Sequence, residues 1–114
     1  MRMEYWIYLI PVAIILWMIV RPGHAKKTEV KTMIESGSLI VDVRSPQEFA
    51  SGAYPGAINI PVDQVQARIG EFGDKGRPIV VYCQSGGRSQ MAKQMLEAAG
   101  YKKVVNGGGL RDMP

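Results

Sequence analysis

Pro78-Ile79-Val80-Val81-Tyr82-Cys83-Gln84-Ser85-Gly86-Gly87-Arg88-Ser89 is the stretch whose reading decides the fold. Ile79 to Tyr82 is a continuous apolar run, the pattern of a strand buried on both faces. Downstream of the loop, Ala92, Met95, Leu96 and Ala99 fall on one helical face, and Gly100 stands where a helix would stop. A strand that feeds through a short loop into a helix is the unit of a parallel sheet. Ligands in such sheets bind at the carboxyl ends of the strands, which is where Cys83 lies.

Working outward, the same alternation repeats. Thr28 to Ser36 carries Val30, Met33 and Ile34 at helical spacing, followed by Gly37. Leu39-Ile40-Val41 reads as a buried strand ending in Asp42-Val43-Arg44. Ser45-Pro46-Gln47-Glu48 is a capping box with proline at the first helical position. Ala57-Ile58-Asn59-Ile60 reads as a second strand. Asp63 with Gln66 three residues on predicts a helix over Gln64–Phe72. Val104-Val105 predicts a last short strand before Asn106-Gly107-Gly108-Gly109. The predicted class is α/β, a central parallel sheet with helices on both faces.

Cys83 occupies a special electrostatic position. The first N–H groups of a helix lack intrahelical partners and point back into the loop, and the helix dipole places about half a positive charge there. Gly86 and Gly87 allow the loop to turn its amides inward. Arg88 supplies a permanent cation. Each effect favours the thiolate. A lone cysteine is often only a small core residue, but a core cysteine belongs inside a strand or helix face rather than ahead of Gln-Ser-Gly-Gly-Arg.

At these residues the chain resembles the single-domain rhodaneses. Cys83-x-x-Gly86-x-Arg88-Ser89 is similar to their active-site loop, and Asp42-x-Arg44 to the pair after an early strand. Glu48-Phe49-x-x-Gly52-x-x-Pro55-Gly56-Ala57-Ile58-Asn59-Ile60-Pro61 resembles their central signature, and Asn106-x-Gly108-Gly109 their C-terminal glycine motif. The resemblance runs from about Thr28 to the end, and the small phage-shock-type members are most similar. Ala53 stands where the family often has histidine, and Met113 lies near the position of a frequent tryptophan.

The resemblance implies a rhodanese-like fold and sulfur transfer. Cys83 would take the outer sulfur of a small anionic donor such as thiosulfate as a persulfide and pass it to cyanide or a thiol. Gln84, Ser85, Gly86, Gly87, Arg88 and Ser89 would form the substrate-binding loop, with Asp42 and Arg44 supporting it. No cofactor and no metal are expected. Phosphatases and arsenate reductases of related fold place five residues between Cys and Arg. Here there are four, Gln84 to Gly87, and the loop has no Asp or Glu to protonate a leaving alkoxide. A persulfide carrier with little turnover of free donor would present the same loop.

Composition bounds the rest. With 114 residues the chain holds one ordinary domain, and 46% hydrophobic residues suffice to build its core. A single Cys excludes an intrachain disulfide and a multi-cysteine zinc site, and a single His leaves only His24 for a histidine-based triad. The net charge of +4 is too modest, without a clustered basic face, to indicate nucleic acid.

The 16 residues Tyr5–Val20 carry no charge, and Tyr5, Trp6, Tyr8 and Trp17 mark the two ends of the run. The sequence therefore predicts a transmembrane helix over 3–21, a linker over 22–27 and the domain over 28–114. One basic residue, Arg2, precedes the run, and Arg21, Lys26, Lys27 and Lys31 follow it, which places the domain in the cytoplasm of a bacterium with the helix in the inner membrane. Gly23-His24-Ala25 offers a signal-peptide cleavage site, which would put the domain in the periplasm instead.

Overall fold

The computed structural model describes residues 25–114. The helix expected over 3–21 and half of the linker expected over 22–27 lie outside them. Among the described residues, no helix is long and apolar enough to cross a membrane. The order is α1 (Lys27–Glu35), β1 (Leu39–Asp42), α2 (Pro46–Ala50), β2 (Ile58–Asn59), β3 (Ile79–Cys83), α3 (Gly87–Ala98) and β4 (Val104–Gly109). A 3-10 turn, Leu110–Asp112, closes the domain.

The four strands form one parallel sheet in the order β2-β1-β3-β4. Strand periodicity divides the side chains of β3 between two cores. Ile79, Val81 and Cys83 pack with Val41, Val43, Ala92 and Leu96 on the α3 side. Val80 and Tyr82 pack with Val30, Ile40 and Met113 on the α1 side. All five residues of β3 are buried. The sheet is thus covered on both faces, as the apolar runs predict.

The helix expected from Thr28 starts one residue earlier. Lys27 opens α1, and the Ala25 N–H donates to the Asn106 carbonyl at 2.6 Å, tying the approach to α1 onto β4. The capping box on α2 forms as predicted: Ser45 Oγ accepts from the Glu48 N–H, and the Glu48 carboxylate accepts from the Ser45 N–H.

The helix expected over Gln64–Phe72 does not form. The segment is two 3-10 turns, Val62–Gln64 and Ile69–Phe72, and Asp63 caps neither. Val65 and Phe72 are fully buried and Ile69 packs against the same core, so the apolar spacing reports burial correctly. Gly70 falls within the second turn, and Gly73, at φ +83°, ends it. Their low helix propensity leaves little to hold a continuous helix together.

The last strand is longer than Val104-Val105, because the glycines continue it to Gly109. The pairing with β3 changes register on the way. Val81 faces Asn106, but Cys83 faces Gly109, so β4 contains one extra residue across this interval.

Candidate active site

Cys83 ends β3 with 1% of its surface exposed. Its Sγ accepts the Gly86 N–H at 2.9 Å and lies 3.3 Å from Ser89 Oγ. Gly86 caps α3 at φ +101°, the left-handed region where a β-carbon is strained. That conformation folds its amide back over the sulfur. Because α3 starts at Gly87, Arg88 and Ser89 belong to its first turn. Ser89 points inward and is buried, whereas Gln84, Ser85 and Gly87 are exposed at the rim.

Burial pushes the Cys83 thiol up. The Ser89 hydroxyl and the backbone N–H groups of Ser89, Ser85 and Gly86 outweigh that cost, and the net effect holds the thiol below its ordinary value. The oriented donors of the loop and the first turn of α3 thus carry this stabilisation.

Ser89 is held from behind. Its Oγ lies 2.7 Å from Asn106 Oδ1 and 3.0 Å from the Gly86 carbonyl. The hydroxyl has one proton to donate, so Asn106, Gly86 and the sulfur compete for it. Asn106 Nδ2 donates to the Gly86 carbonyl at 3.1 Å, and Asn106 Oδ1 accepts the Gly108 N–H at 2.9 Å. The glycine run itself passes beneath the loop. A β-carbon at Gly109 would overlap the Gln84 carbonyl oxygen, and one at Gly107 would come 2.6 Å from Met113 Sδ.

Asp42 and Arg44 form a buried pair under the loop. Arg44 Nη2 lies 2.7 Å from Asp42 Oδ2, and its Nε lies 3.0 Å from each carboxylate oxygen. The remaining donors reach the Gly52 carbonyl at 2.7 Å and Gln84 Oε1 at 3.2 Å, which ties the pair to the loop. Tyr82 donates its hydroxyl to Asp42 at 2.9 Å. Burial first, then the Asp42 carboxylate, push the Tyr82 hydroxyl up to about 12, so it remains a donor.

Arg88, read in the sequence as a permanent cation, has a carboxylate partner in the structure. Its Nη1 and Nη2 meet Glu48 Oε1 and Oε2 at 2.7 and 3.0 Å, a bidentate ion pair. Arg88, through its hydrogen bonds, and then the Ser45 N–H hold the Glu48 carboxyl down at about 2. Glu48 is legible in sequence as a helix cap, and its place in the central signature is a further signal. Its contact with Arg88 spans 40 residues and is not legible. Asn106 likewise appears in the glycine motif without a role, and the structure brings it against Ser89.

The rhodanese-like domain family matches residues 26–111. Thiosulfate sulfurtransferase PspE of Escherichia coli (strain K12) is 42% identical over 74 residues, which cover 64% of this chain and 71% of that protein. A sulfurtransferase of Allochromatium vinosum is 41% identical over 68 residues, 60% of this chain and 63% of that protein. Among solved structures, a rhodanese with anions from E. coli aligns with a TM-score of 0.64 and 41% identity, over 68% of this chain and 95% of that one. The human single-domain sulfurtransferase TSTD1 aligns with a TM-score of 0.70 and 28% identity, over 80% and 94%.

Proposed function

The chain belongs to the rhodanese-like domain family, and from that premise we propose that it is a sulfurtransferase in which Cys83 carries the sulfur as a persulfide. The observation that carries this reading is the Gly86 N–H aimed at the Cys83 sulfur at 2.9 Å, inside a loop that lowers the thiol. The names of the relatives PspE and the Allochromatium protein support the same chemistry.

With thiosulfate as donor, the Cys83 thiolate attacks the outer sulfur. The donor S–S bond breaks, sulfite leaves with the electron pair, and a new S–S bond forms on Cys83. Cyanide or an acceptor thiolate then attacks the outer sulfur, takes it as thiocyanate or a new persulfide, and returns the Cys83 thiolate. Ser89 and the loop amides hold negative charge on the sulfur in both states. Arg88 and the exposed rim of Gln84, Ser85 and Gly87 meet the donor. Asp42 and Arg44 brace the loop through Gln84. Four residues between Cys83 and Arg88 argue against the wider ring of a phosphatase or arsenate reductase.

Intact mass before and after thiosulfate tests the reading. The expected result is a gain of one sulfur atom by the wild type and none by Cys83→Ser. Loading without catalytic formation of thiocyanate would instead identify a persulfide carrier. We also propose that residues 3–21 anchor the domain in the inner membrane with its active site in the cytoplasm, on the strength of the uncharged run and its basic flank. Protease treatment of spheroplasts bearing a tag after Pro114 tests the side: the tag should survive, and its removal would place the domain outside.

A further inference from the structure

We propose that Glu48 is a positioning residue that sets donor preference: by closing on Arg88, it biases the Cys83 loop toward persulfides of small organic thiols over the thiosulfate dianion. The inference rests on the sulfur-transfer reading and adds to it a substrate class and the residue that selects it.

Charge and shape carry the argument. Arg88 in the first turn of α3 and Arg44 beneath the loop are each clasped by a carboxylate, Glu48 at 2.7 Å and Asp42 at 2.7 Å. The Glu48 carboxylate is fixed as well as charged. Its Oε1 also accepts the Ser45 N–H at 3.1 Å and lies 3.0 Å from Ser45 Oγ, so the cap of α2 holds it in place. A dianion arriving at Arg88 therefore meets a balanced pair and either competes with Glu48 or binds beside it. A like charge already seated on the guanidinium disfavours binding of a second one. A thiol persulfide such as cysteine persulfide carries no more than one net negative charge.

The space beside the pair suits an organic donor. A cleft of about 180 Å³ touches Arg88; Val43, Pro46, Pro61 and Val62 line it together with the polar Ser45, Asp63 and Gln64. The apolar part of this lining matches a carbon stem, and the Asp63 carboxylate is a poor neighbour for a second anionic charge.

In the loading step, the Cys83 thiolate attacks the outer sulfur of RS–SH. The donor S–S bond breaks and RS⁻ leaves with the electron pair. The new S–S bond forms on Cys83, and the proton stays on the transferred sulfur. No external oxidant or reductant is required.

The test compares loading rate constants for thiosulfate and for cysteine persulfide, followed by intact mass on wild type and Glu48→Gln. Wild type should load faster from cysteine persulfide. In Glu48→Gln the thiosulfate-to-persulfide ratio should rise about fivefold in dilute buffer, the scale of a half-exposed ion pair, and added salt should remove the gain. The change should fall on the concentration dependence for thiosulfate rather than on its saturated rate. An unchanged or lower ratio in folded Glu48→Gln would overturn the proposal. Wild type alone gives a second reading: its thiosulfate loading should vary little with salt, and a steep fall would reveal an uncompensated cation and overturn it equally. Failure of both donors to load Cys83 would overturn the sulfur-transfer reading itself, and the inference with it.

Discussion

Two carboxylate–arginine pairs of the same chemistry flank the loop, and they differ in their access to water. In Asp42–Arg44 the side chains are 0% and 4% exposed, and Nε, Nη1 and Nη2 of Arg44 are all engaged within the fold. In Glu48–Arg88 they are 34% and 38% exposed, and Arg88 lines a cleft. Burial makes the first pair expensive to break, because removing one partner strands a charge away from solvent. Exposure makes the second pair weak for stability and accessible to a ligand. The same pairing of groups thus serves as bracing in one place and as adjustable charge in the other.

The largest effect comes from removing the sulfur that both pairs surround. Cys83→Ser should abolish thiosulfate-dependent thiocyanate production while leaving the urea midpoint near wild type, and equal production by the two proteins would end the mechanism. Next, Asp42→Ala should cost about 3–5 kcal/mol in urea unfolding, the range for breaking a buried pair. A loss as small as that expected at the exposed pair would erase the contrast drawn between them. Arg88→Lys should leave stability within about 1 kcal/mol. It should slow thiosulfate loading about tenfold, the scale of one charge-assisted hydrogen bond, with less effect on alkylation of Cys83 by neutral iodoacetamide.

The smallest effect is a pH dependence. The Glu48 carboxyl sits at about 2 in the fold against an ordinary 4.5, so the unfolded chain binds its proton more readily. Whatever the exposed pair contributes is therefore fully present above about 4.5 and is lost as pH falls toward 2. The difference in urea midpoint between wild type and Glu48→Gln should be constant from pH 7 to 5 and should shrink only in that acid window. A difference that changes between pH 7 and 5 would mean that another group controls it.

Legibility in the sequence followed the range of the interactions. The buried run Ile79–Tyr82, the Ser45 capping box and the stop at Gly100 depend on neighbours within a few residues, and each appears where local rules place it. The expected helix over Gln64–Phe72 failed because Val65, Ile69 and Phe72 reach one core from a chain interrupted by glycine. Apolar spacing records that they are buried without recording the backbone between them. The position of Cys83 at a strand end was legible for the same local reason. Glu48 facing Arg88 and Asn106 facing Ser89 were not, since those contacts exist only once β1, β3 and β4 lie side by side.

The register jump in β4 makes Gly107-Gly108-Gly109 a matter of counting. Three steps along β4, from Asn106 to Gly109, are matched by two along β3, from Val81 to Cys83. Deleting one of these glycines would remove the slack rather than shorten a spacer. Without the extra residue the two strands would pair evenly, and the bulge that carries Gly108 at φ +87° and turns its N–H to Asn106 Oδ1 would be lost. The glycine run therefore tolerates insertion and deletion less well than a surface loop of the same composition, and its length is part of the active site's specification.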